Sequence, residues 1–316
     1  MSWAELVEDL SPVEERAGHW YKREDLFAPA GPRGVNGSKL RQLIHMAAPV
    51  AGTAPGILTA CSVRSPQAPM AAEVARHFGM ECHIVLGATH HQAAMRHTNV
   101  QIAADAGAEF IFAPVAYNPA LQRSADALAA RDEYDGWWRL PYAITCPATA
   151  PDAEVEAFHA VGARQVDNIP AEVTTIVMAA GSCNSATSVL YGLARTYPIH
   201  NVERVVLLEI GPTRRQWMAD RLEALGRVYG ADIAGHYGPS GPIRVEYHDL
   251  HGTGWARYGD RMPWTEHGIA LHPTYEGKLL TYMNTHRRDF RWWWAADRTA
   301  MLWIVGAEPR RTPSHT

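Results

Sequence analysis

The feature of the sequence that most constrains its fold is a repeated alternation of short apolar runs with amphipathic stretches. The apolar runs are GILTA (56–60), ECHIVL (81–86), AEFIFA (108–113), TTIVMAAG (174–181) and ERVVLLEIG (203–211). Helical patterns occur at 67–79, at 91–107, at 118–134 and after residue 181 through Leu193. Buried strands that alternate with helices of about 10–15 residues are typical of βαβ units. The sequence therefore predicts an α/β fold built on parallel sheets.

A break in this alternation divides the chain into two blocks. Residues 135–152, DGWWRLPYAITCPATAPD, are rich in proline, glycine and aromatic residues, and we interpret them as a connection. A chain of 316 residues with 47% hydrophobic residues is long enough for two domains. We expect a larger α/β domain formed by 1–44 and 148–316, and a smaller inserted α/β domain formed by 45–147. Residues 230–268 are predicted to be mainly loop, a type of segment that often carries function.

Composition excludes several classes of protein. The formal net charge of −4 gives no reason to expect a protein that coats nucleic acid or binds membrane surfaces. No apolar run approaches the roughly 20 residues that span a bilayer, and the acidic N-terminal segment lacks the apolar core of a signal peptide. Four scattered cysteines favour free thiols, and the sixteen histidines form no metal-binding pattern. We expect a cytoplasmic chain with no metal site.

Lysine is scarce in this sequence. Of 29 basic residues only Lys22, Lys39 and Lys278 are lysines, a bias that a GC-rich genome explains for the protein surface. An arginine side chain stays protonated, whereas a buried lysine amine can lose its proton and act as a nucleophile. Lys39 follows a Gly-Ser turn in GVNGSKLRQL and opens an amphipathic pattern. It is therefore the first candidate for a chemical role, while Lys22, paired with a nearby acid, and Lys278 are expected to be structural.

A loop of small residues, AAGSCNSATS (179–188), follows one predicted strand and opens a helix. Such a loop presents backbone N–H groups, and the helix N-terminus adds positive potential, so the site suits a phosphate group. The loop lacks both the lysine of a Walker A motif and the GxGxxG pattern of dinucleotide folds. An ordinary capped turn is an equally good interpretation of this stretch alone.

A second polar group precedes an apolar helical pattern in HPTYEGKLLTYM (272–283). Tyr275 and Glu276 lie side by side there. Glu276 has a structural alternative, because an acidic residue in the first turn of a helix is favoured by the macrodipole. Tyr275 also has a structural alternative, because it could be a residue of the hydrophobic core.

Taken together, YKRED…GSKLRQL, TACSVRSPQAPMAAEVARHFGM, AAGSCNSAT and HPTYEGK resemble the fold-type II (tryptophan synthase β-like) pyridoxal-phosphate enzymes. The similarity is greatest to the branch with 1-aminocyclopropane-1-carboxylate deaminase and D-cysteine desulfhydrase. It runs from about Tyr21 to Lys278 through four separated motifs. The resemblance implies pyridoxal 5′-phosphate as cofactor, bound in the cleft between two α/β domains, and we expect a homodimer.

The resemblance also implies roles for individual residues. Lys39 would form a Schiff base with the cofactor and then act as general acid and base at Cα. Glu276 would meet the pyridine nitrogen and stabilise its proton, which favours carbanion-type chemistry. Tyr275 would face the ring as a second acid/base or as a stacking group. Ser65 would be a nucleophile or proton donor, or equally an N-cap near Gln67. The implied cofactor contacts are Ser38, Lys39, Gln67, Gly181, Ser182, Cys183, Asn184, Ser185 and Glu276.

The chain departs from the family where substrate is bound. The family usually has Ser-Asn-His or Ser-Asn-Gln at the start of the small-domain helix, and this chain has Ser65-Pro66-Gln67. Proline offers neither an amide side chain nor a backbone N–H. Ser38 replaces the asparagine that usually precedes the lysine. These changes affect recognition of a free α-amino-acid carboxylate more than cofactor binding.

The functional prediction is a lyase or deaminase that acts at the α- or β-carbon of a small amine-bearing substrate, an amino acid. Because of the departure at Pro66, a larger amino-acid conjugate, such as an amino-acid-modified nucleotide or nucleic acid, is the alternative substrate. A non-catalytic relative that binds pyridoxal phosphate is the other alternative.

Overall fold

The computed structural model of the chain describes residues 3–32, 34–115, 117–147, 149–238, 240–295 and 299–310. The strands are β1 (Val13–Arg16), β2 (His19–Arg23), β3 (Gly56–Ser62), β4 (Glu81–Gly87), β5 (Glu109–Ala113), β6 (Trp138–Arg139), β7 (Thr175–Ala180), β8 (Arg204–Glu209), β9 (Arg244–Asp249), β10 (Trp264–Glu266), β11 (Ile269–Leu271) and β12 (Ala300–Ile304). The helices are α1 (Trp3–Leu6), α2 (Ser38–Ala47), α3 (Gln67–Phe78), α4 (His91–Ala94), α5 (Thr98–Asp105), α6 (Asn118–Ala129), α7 (Asp152–Ala163), α8 (Asn184–Thr196), α9 (Arg215–Tyr229), α10 (Glu276–Thr285) and α11 (Arg291–Trp294).

The larger sheet has the order β1-β2-β12-β7-β8-β9. Only the first pair, β1 and β2, is antiparallel among its described strands, and every other neighbouring pair is parallel. Alternate residues of β7 face opposite cores. Ile176 and Met178 pack with helices α7, α8 and α9, whereas Val177 and Ala179 pack with α10 and the aromatic residues of α11. Because both faces are covered, the strand is a continuous apolar run.

The smaller sheet has the order β5-β4-β3-β6 and is parallel throughout. Ile57 and Cys61 of β3 face a core that includes residues of α2, α3 and α5. Leu58 and Ala60 face the opposite core, which α6 covers. The predicted α/β fold with parallel sheets is confirmed. The predicted limits of the two domains stay a prediction, and α2 extends across the proposed boundary after residue 44.

The structure differs from the sequence prediction in several elements. The helical pattern over 91–107 is two helices, α4 and α5, separated by a short turn. The stretch 230–268, predicted to be mainly loop, contains strand β9 at the edge of the larger sheet. The strand has one neighbour only in the described sheet, and its residues are mostly half-buried, so it lacks a long apolar run. Strand β6 likewise lies within the predicted connection 135–152.

The order of the larger sheet produces a crevice. From β7 the chain continues to β8 and β9 on one side, and later returns to β12 on the other side of β7. Ligands of open α/β sheets bind outside the carboxyl ends of the strands at such a reversal of strand order. The segments that follow β7 and β12 begin there. Among the described residues, no helix combines the length and apolar character needed to cross a membrane.

Candidate active site

Lys39 is placed at this crevice by the turn that precedes α2. The N–H of Ser38 donates to the carbonyl of Val305, just after β12, at 3.0 Å. Gly37 has a φ of 95°, and a Cβ at this position would lie 2.4 Å from the same carbonyl oxygen. Only glycine allows this close approach without displacing backbone. Gly37 therefore seats the start of α2 against the end of β12.

Lys39 lines a cavity, and its amine is not held by other side chains or carbonyls of the described part of the protein. No described residue forms a hydrogen bond or ion pair with it. Burial lowers the pKa of Lys39 to about 8, from the ordinary 10.5, because desolvation disfavours the charged form. A larger fraction of this amine is neutral at physiological pH than for an exposed lysine.

The other two lysines are occupied by protein partners. The amine of Lys22 donates to the carbonyl of Ser11 at 2.9 Å and to Oδ1 of Asn168 at 2.6 Å. A carbonyl and an amide, rather than an acid, are therefore the direct partners of this amine, and the nearby Glu24 acts on it through its charge. The amine of Lys278 donates to the carbonyls of Arg257 and Tyr258 at 2.6 and 2.8 Å.

The loop between β7 and α8 forms the opposite wall of the cavity. Cys183, immediately before α8, has a φ of 65°, a left-handed conformation that is uncommon outside glycine. The hydroxyl oxygens of Ser185 and Ser38 lie 2.6 Å apart, so this loop is joined to the turn before Lys39. The first N–H groups of α8 have no partners within the helix, as at any helix start. Gly181, Ser182, Cys183 and Ser185 all line the cavity.

Glu276 is fully buried behind the cavity wall at the start of α10. Its Oε1 accepts the N–H of Val305 at 2.8 Å, and its Oε2 is buried without a hydrogen-bond partner in the described structure. Burial raises the pKa of Glu276 to about 8, and the charge of Asp25 adds to the rise. A buried acceptor of this kind carries an energetic penalty unless a donor meets it.

Tyr275 lines the cavity beside His272. The two rings are 4.6 Å apart, and the Tyr275 hydroxyl lies 3.1 Å from that of Tyr258. Burial and then Tyr258 raise the pKa of Tyr275 well above its ordinary value, so the phenol keeps its proton at neutral pH. Burial lowers the pKa of His272 to about 4, so its imidazole is neutral. Sequence reasoning missed His272, although it begins the quoted segment HPTYEGK.

Ser65 and Gln67 do not line the cavity; Pro66, between them, does. The hydroxyl of Ser65 accepts the N–H of Gln67, the first residue of α3, at 3.2 Å, although Pro66 and not Ser65 is the N-cap residue. The amide of Gln67 donates to Oγ1 of Thr59 at 2.7 Å and accepts the N–H of Ala143 at 2.8 Å. Its hydrogen-bonding groups are thus directed to protein partners.

Asn184 also faces away from the cavity. Its amide donates to the carbonyls of Ala143 and Ile144 at 3.2 and 2.8 Å. Ala143 and Ile144 both have positive φ, 63° and 52°. Asn184 and Gln67 therefore hold the same strained segment. Asn184 begins α8, which packs on the larger sheet, and Gln67 begins α3, which packs on the smaller sheet. The aromatic and proline-rich composition of 135–152 predicted a connection, but it did not predict that Gln67 and Asn184 would hold this segment by hydrogen bonds.

The cavity and its open mouth together contain about 590 Å³ of space not occupied by protein atoms. Of the expected site residues the structure brings together Ser38, Lys39, Gly181, Ser182, Cys183, Ser185 and Tyr275. Residues that the sequence analysis missed complete the wall: Asn36, Met70, Ala179, Ala186, His272, Val305, Gly306 and Ala307. Residues 305–307 come from the segment after β12, which no sequence motif singled out.

No protein-family model matches the chain. A curated relative, the O-seryl-dTMP PLP-dependent decarboxylase of Salmonella phage ViI, is 35% identical over an alignment that covers 93% of this chain and 79% of the relative. Among solved structures, an ACC deaminase homologue has a TM-score of 0.71 and 17% identity, covering 96% of this chain and 91% of its own. Diaminopropionate ammonia lyase from Escherichia coli has a TM-score of 0.59 and 13% identity, covering 98% and 88%.

The fold, together with the 35% identity to a PLP-dependent decarboxylase, identifies a pyridoxal-phosphate-dependent enzyme. The chain belongs to the fold-type II pyridoxal-phosphate enzymes, and its cofactor is pyridoxal 5′-phosphate. The described residues fit this group. Lys39 offers an amine without a protein partner, and Glu276 offers a buried carboxylate oxygen that lacks a donor.

Proposed function

We propose that this protein is a decarboxylase that acts on an amino acid joined to a nucleotide, with O-seryl-dTMP as the reference substrate. The observation that carries the proposal is the 35% identity, over 93% of the chain, to the decarboxylase of Salmonella phage ViI. The solved structures support the fold but are too distant in sequence, at 17% identity or below, to indicate a substrate.

In this proposal, residues around the cavity hold the cofactor in three places. Lys39 binds it covalently through its amine. Oε2 of Glu276 would accept a hydrogen bond from the protonated ring nitrogen, which would supply the buried oxygen with a donor. The hydroxyls of Ser182 and Ser185, with the first N–H groups of α8, bind the phosphate at the helix N-terminus. When bound, pyridoxal phosphate withdraws electrons from a bond to Cα of the amino acid.

The wall of the cavity near Pro66 supports loss of a carboxylate. Pro66 has no N–H and no polar side chain, and Met70 lies on the same helix start. None of the described residues that line the cavity is an arginine. A carboxylate placed against this apolar wall loses water without gaining hydrogen bonds, which raises the energy of the charged group. Its release as CO₂ takes the charge away from this wall, because the bonding electron pair stays with Cα until a proton is added there.

The reaction exchanges the carboxylate of the amino acid for a proton. The bond between Cα and the carboxyl carbon breaks, CO₂ leaves, and Cα takes up one proton, so that the amino acid becomes an amine. Two groups at the cavity carry protons suited to this transfer. Lys39 has a pKa near 8, and Tyr275 keeps its phenolic proton at neutral pH.

The test is to incubate the holoenzyme with O-seryl-dTMP and to follow CO₂ release and the mass of the nucleotide product. We expect one CO₂ per substrate and an amine product lighter than the substrate by the mass of one CO₂, and no CO₂ from the Lys39→Ala variant. Free L-serine, D-cysteine and 1-aminocyclopropane-1-carboxylate are assayed in parallel for ammonia. Ammonia release from a free amino acid, with no CO₂ from the conjugate, contradicts the proposal and supports the deaminase interpretation.

A further inference from the structure

A second concave surface adjoins the cofactor cavity. It is lined by residues that include Arg139, Tyr142, Ser182, Arg214 and Trp217, and we name it the lateral groove. Its cavity volume is about 440 Å³. Small-molecule sites typically measure about 300–1,000 Å³. Ser182 lines the lateral groove and the cofactor cavity alike, so the two spaces meet there.

Arg214 is an exposed cation between the two spaces. No carboxylate of the described residues pairs with its guanidinium, whereas Arg215, the next residue, is held by Glu209 at 3.1 Å. Burial raises the pKa of both Tyr142 in the groove and Cys183 in the cavity, and the charge of Arg214 opposes both rises. The positive charge of Arg214 is therefore felt in both the groove and the cavity, and no described carboxylate neutralises it, so it can bind an anion.

Arg139 contributes a second, fixed guanidinium. Its Nε donates to Asp126 at 3.0 Å and its Nη2 to Oε1 of Gln122 at 2.7 Å. Burial lowers the pKa of Arg139, and Asp126 opposes that shift, so the charge of this pair is largely balanced within the groove. The uncompensated positive charge is thus that of Arg214.

Two aromatic side chains provide flat apolar surface in the same groove. Tyr142 is half-buried, and its hydroxyl accepts the side-chain amide of Asn118 at 2.7 Å, which holds the ring in place. Trp217 is half-buried on the first turn of α9, three residues after Arg214. Aromatic rings of this kind stack on nucleobases, with about 1–3 kcal/mol per base in other proteins.

We propose that the lateral groove binds the thymidine 5′-phosphate part of a conjugate substrate, with Arg214 on the phosphate and the rings of Tyr142 and Trp217 against the base. This assignment rests on the proposed function. It explains how a cavity without a carboxylate-binding arginine achieves specificity, because recognition is transferred to the nucleotide. The amino-acid arm then passes Ser182 to reach the cavity of Lys39.

The test uses ligands that lack an amine, so that binding is measured apart from the reaction. Calorimetric titration of the holoenzyme is done with dTMP, with thymidine and with a short thymidine oligonucleotide. We expect dTMP to bind, and Arg214→Gln to weaken it at least tenfold while leaving thymidine unchanged. Trp217→Leu is expected to weaken both. Arg227→Gln is the matched control, because Arg227 is an exposed arginine of α9, the helix that follows Arg214, and is paired with Asp152 at 2.7 Å outside the groove.

These titrations distinguish a free nucleotide from a nucleotide within a strand as the ligand. They also test the groove assignment separately from the proposed decarboxylation. Tighter binding of the oligonucleotide than of dTMP, still dependent on Arg214, assigns the groove to a nucleotide within a strand. Equal dTMP affinity in wild type and Arg214→Gln, or no binding of either phosphate ligand, overturns the groove assignment even if CO₂ is released. Binding of dTMP that depends on Arg214, without CO₂ from O-seryl-dTMP, supports the groove and rejects the proposed reaction. Circular dichroism and cofactor absorbance verify that each variant is folded and loaded.

Discussion

The hydroxyl oxygens of Ser38 and Ser185 lie 2.6 Å apart and join the turn before Lys39 to the loop that opens α8. Ser38 also lies 3.3 Å from the carbonyl of Val305, which follows β12. The two ends of the proposed cofactor site, the amine and the phosphate loop, are thereby held in one arrangement. A serine pair performs this function in a chain where the family usually has asparagine before the lysine.

We expect Ser38→Ala and Ser185→Ala each to weaken pyridoxal-phosphate binding by about fivefold to tenfold, because each loses a hydrogen bond of about 1 kcal/mol. The double variant should lose less than the sum of the two single losses, since both substitutions remove the contact that the two hydroxyls share. Titration of cofactor-free protein by absorbance gives the affinities. Ser124→Ala, which removes a hydroxyl bond on the remote helix α6, is the control. Fully additive losses would show that the pair is not coupled.

Lys39 is expected to be the single site of covalent cofactor attachment. Borohydride reduction followed by peptide mass spectrometry should place the cofactor on Lys39 and leave Lys22 and Lys278 unmodified; with three lysines in the chain, the other two are internal controls. The rate of attachment should rise with pH through about 8, because burial lowers the pKa of the reacting amine. Label on Lys22 or Lys278, or a midpoint near 10.5, would contradict the assignment.

Glu276 is expected to make the cofactor-free protein less stable as pH rises. Its folded-state pKa, about 8, lies above the ordinary 4.5, so between these values the folded protein holds a proton that the unfolded chain releases. Stability from this group is fully present below pH 4.5 and is lost as pH rises toward 8, with a slope of up to about 1.4 kcal/mol per pH unit.

Chemical denaturation of wild type and Glu276→Gln across this range isolates the effect, because other titrating groups are common to both proteins. Glutamine retains an oxygen for the N–H of Val305. The difference in unfolding free energy between the two proteins should therefore change with pH. A difference that is constant from pH 5 to 8 would show that the carboxyl is ionised throughout.

Tyr275→Phe is expected to keep the cofactor and to lower kcat by about 100-fold, because general acid catalysis contributes about this much or more. Tyr258→Phe is the matched comparison. It removes the hydroxyl that lies 3.1 Å from that of Tyr275, but Tyr258 does not line the cavity, so we expect a smaller loss. Steady-state kinetics with the conjugate, together with cofactor absorbance, measures both. Equal kcat in Tyr275→Phe and wild type would remove Tyr275 from the proton transfer.

Cys183 lies in a left-handed conformation that penalises any side chain with a Cβ. We expect Cys183→Gly to be more stable than Cys183→Ala by about 1 kcal/mol, because both lose the buried sulfur and only glycine relieves the strain. Urea denaturation of the holoenzymes gives the comparison. An alanine variant as stable as the glycine variant would show that the loop relaxes out of this conformation.

Local patterns in the sequence were sufficient to predict the strands that position the site. Apolar runs located β7 and β8, and the small residues after β7 indicated the turn that opens α8. The scarcity of lysine and the Gly-Ser turn singled out Lys39. These predictions succeeded because they depend on near neighbours in the chain: periodicity, turn residues and the covalent chemistry of single side chains.

Contacts between distant segments were beyond the reach of those patterns. The order of β7 and β12 joins residues far apart in sequence, and so does the presence of Lys39 and residues 305–307 in one cavity. The anchoring of Ala143 by Gln67 and Asn184 does the same. The same polar residue type can face a cofactor or a backbone carbonyl, and packing selects between them. Residue types and local structure thus follow from the sequence alone, whereas the direction of each polar side chain is set by which segments meet in the folded chain.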